Sequence, residues 1–220
     1  NQQRLQQLDD PHNLGKLLHL PEALKKLSGR TALRPRKTAL LMQAAIAVEI
    51  LLYAPMRAGT LSGLHLDRHI RFIGSGRSRR TMISVPGKEV KNNRDLHYEL
   101  GERSTRLLEQ YLKDARPILL REPSDYLFPA QDGGPKRASS ISNLIKETIL
   151  EHTGLTINAH LFRSIAGKIH SMAAPGDFAT LSHVLHNTLR TAMKSYAQFE
   201  HQSSLRHYQE SVDKARKRLP

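Results

Sequence analysis

From Thr38 to Ala54 apolar residues cover nearly every face of a helix, and Pro55 stops it. A helix that is apolar all round belongs in an interior, with other elements covering it on each side. The run is short for a membrane span and contains Gln43 and Glu49, both costly in lipid. The expectation is a domain built around one buried helix, Arg36–Ala54. A chain of 220 residues suits one domain with an appendage. At that size roughly 70% of the unfolded surface can be buried, so no staple is required.

Before this helix, residues 1–35 read as a polar leader with two short helical pieces. Leu17, Leu18 and Leu20 precede Pro21, which opens a second piece at Glu22–Leu27. After it, Met56–Leu64 reads as a turn into a short helix. Residues 68–100 change texture: Ile70–Ile73, Thr81–Val85 and Asp95–Tyr98 are strand-like runs, separated by Gly74-Ser75-Gly76 and by Pro86–Asn93. Tight turns between consecutive strands predict an antiparallel meander. Helix is expected again at Ser104–Leu119, with Leu107, Leu108, Tyr111, Leu112 and Ala115 on one face. Further helices are expected near Ser139–His152, His160–Ala174, Phe178–Leu185, Thr188–Phe199 and Ser203–Arg218. The fold class is mainly α with a small antiparallel β-sheet (α+β).

Thirty-four Lys and Arg against twenty Asp and Glu leave a net charge of +14. An excess of that size attracts polyanions, nucleic acid before an anionic membrane. Cysteine is absent, which excludes disulfides, thiol nucleophiles and thiolate metal sites. The opening residues are polar with no apolar core, so no secretory signal is read there. A soluble, cytoplasmic, nucleoid-associated protein is expected. Asn1 is no natural start, and the chain is expected to be a fragment of something longer.

Phosphoryl transfer without a metal sets a definite requirement. Charge builds on the equatorial oxygens of a five-coordinate phosphorus, and arginine's planar fork can meet two of them. A nucleophile must stand in line with the leaving oxygen, and a proton donor must meet that oxygen as it departs. The chain offers His160-Leu161-Phe162-Arg163, a His and an Arg one helical turn apart, then His186 after a short helix, then Tyr196. Upstream it offers Arg57, directly after the buried helix, and Lys88 in a hairpin. Each alone has an ordinary explanation, since a chain with 12 His produces such pairs on solvated helix faces.

Their order and setting resemble the tyrosine recombinase (phage integrase) family over roughly residues 36–200. The family's first arginine box, Gly-Leu-Arg-x-Ser-Glu-Leu-x-x-Leu after a helix, is similar in outline to Tyr53–Leu64, with Arg57 as the arginine. Its Gly-Lys-Gly-x-Lys-x-Arg hairpin resembles Gly87-Lys88-Glu89-Val90-Lys91-Asn92-Asn93-Arg94. Its Leu-Phe-Pro loop is similar to Leu127-Phe128-Pro129, and its His-x-Leu-Arg-His-Thr box resembles His160–Ile165. Its Leu-Gly-His turn and final tyrosine helix resemble Val184-Leu185-His186 and Met193–Tyr196. The chain departs from the pattern in Thr60 for an acid, Ser164 for a second histidine and Leu185 for a glycine. The interval from His186 to Tyr196 is also one residue longer than the common spacing.

The resemblance implies DNA strand cleavage and rejoining without metal, ATP or other cofactor. Tyr196 would attack the scissile phosphate, giving a 3′-phosphotyrosyl link and a free 5′-hydroxyl. Arg57 and Arg163 would hold the non-bridging oxygens, His160 would assist the tyrosine, and His186 would donate to a phosphate oxygen. Lys88 would protonate the leaving oxygen, with Lys91 as its rival in the same turn. All six are expected to converge on one phosphate. The implied partners are double-stranded DNA and further copies of the chain, as a tetramer on paired sites, with no membrane.

Within DNA enzymes the alternative is a type IB topoisomerase or telomere-resolving enzyme. Outside them it is a non-catalytic basic DNA-binding module. A metal site using His183 and His186, with His152, His160, His170 or Asp177, is weakly suggested. The domain reading is residues 1–35 as leader, 36–200 as catalytic domain and 201–220 as helical tail. In the tail Leu205, Tyr208, Val212 and Ala215 recur at steps of three and four, a narrow apolar stripe that must dock on something.

Overall fold

The computed structural model describes residues 2–29 and 34–218. These divide into two compact units, Asn1–Phe162 and Arg163–Pro220.

The first unit opens with the short α1 (Gln2–Gln6) and then α2 (Pro11–Ser28), whose start is capped by Asp10 accepting from the His12 amide at 2.8 Å. The two expected pieces are one helix of 18 residues running through Pro21. Pro21 lacks the amide that would bond one turn back, which disfavours a helix interior. The helix persists because Leu17, Leu20, Pro21 and Leu24 form one buried stripe on a polar background. That stripe packs against α3 (Pro35–Tyr53). Residues 30–33 of the expected leader lie outside the described residues.

Helix α3 is the centre of this unit. Ala39 and every residue from Leu41 to Leu51 are buried. Its two polar interior residues are satisfied. Glu49 accepts from the Ser104 hydroxyl at 2.6 Å, and Gln43 donates to the Tyr111 hydroxyl at 3.0 Å while accepting from Lys136 Nζ at 2.5 Å. Burial pushes the Glu49 carboxyl above its ordinary range, against the Ser104 hydrogen bond that lowers it.

Beyond α3 come α4 (Ala58–Ser62), α5 (Leu66–His69) and a three-stranded sheet of β1 (Ile70–Ile73), β2 (Arg80–Val85) and β3 (Leu96–Leu100). The order is β1-β2-β3, antiparallel throughout, with Ile83 opposite Ile70 on one side and Tyr98 on the other. Thr81, Ile83 and Val85 face inward with Leu96, Tyr98 and Leu100, the alternation a half-buried sheet requires. The helical stretch that follows is α6 (Glu102–Gln110), a π-helical turn at Tyr111–Ala115, and α7 (Arg116–Leu119). After the 120–137 loop, α8 (Ala138–Thr153) ends at Gly154, which takes the left-handed φ of 76° common at helix ends. A 3-10 turn, Ala159–Leu161, closes the unit.

The second unit is helical: α9 (Phe162–Ala173), α10 (Phe178–Val184), α11 (Leu189–Tyr196) and α12 (Glu200–Arg218). Asp177 caps α10 through the Thr180 amide at 3.0 Å, and Thr188 caps α11 through the Thr191 amide at 3.1 Å. Its core is small: Leu181, Leu185, Ala192 and Tyr196, flanked by half-buried Ala166, Phe178 and Phe199. On α12 the stripe is uncovered, with Leu205 and Tyr208 54% and 69% exposed. The fold is mainly helical with a small antiparallel sheet, as expected. Among the described residues no helix is long and apolar enough to cross a membrane.

Candidate active site

Arg57, Lys88 and His160 belong to the first unit, and Arg163, His186 and Tyr196 to the second.

Arg57 is half-buried and directly precedes α4, its carbonyl accepting from the Leu61 amide at 2.9 Å. Pro55 and Met56 before it are buried, so the chain leaves α3 along one fixed path. His160 is exposed in its 3-10 turn between buried Ala159 and Leu161. The Asn158 side chain accepts from the Leu161 amide at 3.3 Å and fixes that turn. The elements carrying Arg57 and His160 both pack against α8.

Lys88 is exposed in a 3-10 turn, Gly87–Glu89, between β2 and β3. The turn is held on three sides. The Gly87 amide donates to Asp95 Oδ1 at 2.7 Å, and a Cβ at Gly87 would come within 2.8 Å of the Asn93 backbone. Val90 is buried, with its amide 2.9 Å from the Gly87 carbonyl. Glu89 reaches back to α5, with Oε1 3.3 Å from Arg68 Nη1 and Oε2 3.2 Å from His69 Nε2. Lys91, the rival lysine, is exposed farther along the same connection.

In the second unit Arg163 Nη2 donates to the Leu185 carbonyl at 2.8 Å, tying the first turn of α9 to the turn that bears His186. His186 has a φ of 46°, so the left-handed position falls on a histidine here. Tyr196 ends α11 and is only 6% exposed. Its ring lies 6.2 Å from that of Phe199 and rests against Gly167 of α9. A Cβ at Gly167 would overlap Tyr196 Cδ1. The structure thus groups Arg163, the His186 turn and Tyr196 around α9–α11.

Sequence reasoning did not single out Gly167, Glu89 or His69. An isolated glycine within a helix was the available signal for Gly167. Nothing local marks Glu89 and His69 as partners. Among the described residues no three His, Asp or Glu side chains gather as a metal site. His170 instead lies 3.5 Å from Asp177 Oδ2. A cavity of about 360 Å³ opens beside α2 and α6, lined by His19, Lys25, Glu49, Arg103 and others, but by none of the six candidates.

The chain matches the Phage integrase family over residues 22–203, most of its length. It belongs to the phage integrase family. Among solved structures similar to this family member is the XerH site-specific recombinase bound to palindromic difH substrate, a post-cleavage complex. That protein is 18% identical with a TM-score of 0.64, over 90% of this chain and 51% of that one. XerA recombinase is also 18% identical, with a TM-score of 0.60 over 90% of this chain and 61% of that one. The Tn1549 transposon integrase, in complex with transposon right end DNA, is 13% identical with a TM-score of 0.53, over 86% and 62%. This integrase-family chain therefore spans about half to three-fifths of these proteins, and the likeness to them is one of fold. No curated protein matches it by sequence.

Proposed function

We propose that this chain is the catalytic part of a site-specific DNA recombinase that cuts and reseals one strand at a time through Tyr196. The observation that carries the reading is the family match, whose span of 22–203 includes all six candidate residues.

In the proposed reaction Tyr196 Oη bonds to phosphorus as the bond from phosphorus to the 5′ oxygen breaks. The phenol proton leaves with assistance from His160, and Lys88 Nζ supplies a proton to the 5′ oxygen. Arg57 and Arg163 meet the charge that grows on the non-bridging oxygens, where a bidentate guanidinium acts most strongly. His186 donates to one of those oxygens. The phosphotyrosyl ester keeps the energy of the broken bond, so a second 5′-hydroxyl can reseal the strand by the reverse path. Double-stranded DNA is the proposed substrate, in keeping with the charge of +14, and the nucleoid the proposed place of work. The uncovered stripe on α12 supports assembly, proposed as a tetramer on paired sites, because an isolated narrow stripe does not stabilise a helix in water.

The test is a pool of duplex oligonucleotides with randomised sequence around a single nick, so that the short cleaved fragment escapes and the adduct is trapped. Incubation with the chain in EDTA, followed by a denaturing gel, should show a protein–DNA adduct whose DNA can be sequenced. Tyr196→Phe should give none while retaining salt-sensitive binding, since one hydroxyl matters little to a many-phosphate interface. Binding without adduct in the parent chain would overturn the reading in favour of a basic DNA-binding module.

A further inference from the structure

We propose that Glu89 and His69 are positioning residues for Lys88, latching the β2–β3 turn so that the lysine is presented at one place to the departing 5′ oxygen. This rests on the proton-donor role given to Lys88 above.

Glu89 is the next residue after Lys88, so whatever fixes its side chain limits the backbone that carries the lysine. Its carboxylate spans two groups of α5, Arg68 Nη1 at 3.3 Å and His69 Nε2 at 3.2 Å. The two partners are unlike. The Arg68 side chain is 53% exposed, and an ion pair in that setting contributes little. The His69 side chain is 2% exposed and held from its other side, with Nδ1 accepting from the His65 amide at 3.0 Å. An imidazole whose Nδ1 accepts carries its hydrogen on Nε2, the atom that faces Glu89. Burial lowers the pKa of His69, against the opposing pull of Glu89, which keeps the ring in this neutral form. The histidine thus has one fixed orientation and presents Nε2 3.2 Å from Glu89 Oε2, a close polar contact outside hydrogen-bond geometry that sets the turn against α5.

A long flexible lysine is a poor general acid unless its stem starts from a fixed point. A displacement of about 1 Å at a reacting group can cost on the order of 10²-fold in rate. The Gly87–Asp95 bond and buried Val90 hold the turn at its two ends. The latch acts beside the lysine itself. A role confined to stability would slow every substrate alike, whereas a role in positioning the acid should show only where a proton is needed.

The experiment compares two versions of the duplex selected by the adduct assay. One is the natural phosphodiester; the other has sulfur in place of the bridging 5′ oxygen. A thiol has a pKa of about 8.5 and leaves as thiolate without a proton donor, unlike an alcohol. Lys88→Ala should slow adduct formation on the oxygen substrate by on the order of 10²-fold or more and recover on the sulfur substrate. Glu89→Ala should show the same pattern at a smaller scale, a loss of roughly 10-fold to 10²-fold on oxygen and parent-like rates on sulfur. Glu89→Gln keeps the side chain's size and an oxygen beside His69 Nε2 and should lie between Glu89→Ala and the parent. Thermal melting confirms that each variant is folded. Equal slowing of Glu89→Ala on both substrates, or no slowing on oxygen, overturns the latch while leaving Lys88 in place. If Lys88→Ala does not recover on sulfur, the proton-donor role fails and the latch falls with it.

Discussion

The turn that carries Lys88 and the helix that carries Tyr196 hold their side chains by opposite means. Lys88 is exposed, and its neighbours do the holding: Gly87 through Asp95, Glu89 through His69, Val90 through burial. Tyr196 is itself one of four buried members of a small core and is held by its own ring. In the first unit, therefore, a candidate catalytic side chain can be changed without disturbing packing. In the second unit the proposed chemistry and the stability share a residue. In the proposed reaction Tyr196 would have to present its hydroxyl to DNA, while its ring packs with Leu181, Leu185 and Ala192.

The contrast can be broken most forcefully at Leu181, which is 2% exposed. Leu181→Ala should cost about 2–5 kcal/mol, the usual range for such a truncation. In so small a core that loss should appear as fast hydrogen exchange throughout residues 163–218, with α3 still protected. Uniform acceleration over both units would mean that the two cores unfold together. A finer cut is Gly167→Ala. The new methyl would overlap the Tyr196 ring, and overpacking of that kind costs roughly 1–3 kcal/mol. Melting should fall by less than in Leu181→Ala, and a variant as stable as the parent would show that the ring has another resting place.

The smallest expected effect lies in the first unit, at Glu49. Its folded carboxyl titrates above the unfolded one, so the folded state binds the proton more tightly. Stability is then highest in acid and declines as pH rises through the ordinary carboxylate range to the raised folded value. Glu49→Gln keeps an acceptor for Ser104 and removes the buried charge. It should be more stable than the parent at neutral pH, with the gain vanishing in acid. A gain that persists at low pH would mean that packing, not charge, limits the parent.

Much of this was legible in the sequence because the relevant signals are local. The helix around Leu41–Leu51, ended by Pro55, and the alternation of Thr81, Ile83 and Val85 follow from period and burial alone. The ordered set from Arg57 to Tyr196 gave the family. Other features depend on partners far along the chain. Helix α2 continues through Pro21 because it packs against α3 and α8 with Leu17 and Leu24 buried, which no turn-by-turn rule contains. The turn of Lys88 meets α5 where Glu89 lies 3.2 Å from His69, and short-range glycine and asparagine signals report only that a turn exists. The seat of Tyr196 on Gly167 joins two helices and was equally hidden.

The π-helical turn at Tyr111–Ala115 has a consequence for the rotational phase of the segment around it. An α-helix advances about 100° per residue, so one extra residue in a turn rotates everything after it by roughly that angle. Helix α6 packs against both α3 and the sheet, while α7, on the same rod, packs against α3. The rotation also brings Arg116 to the carbonyls of Ser124 and Tyr126, where its guanidinium gathers the loop that leads toward α8. Tyr111 locks the setting, since its hydroxyl is bonded to Gln43 and to the Leu127 carbonyl at once. The rod thus stays on α3 along its length, like a camshaft on one bearing, while its two ends turn different lobes outward, one to the sheet and one to the loop before α8.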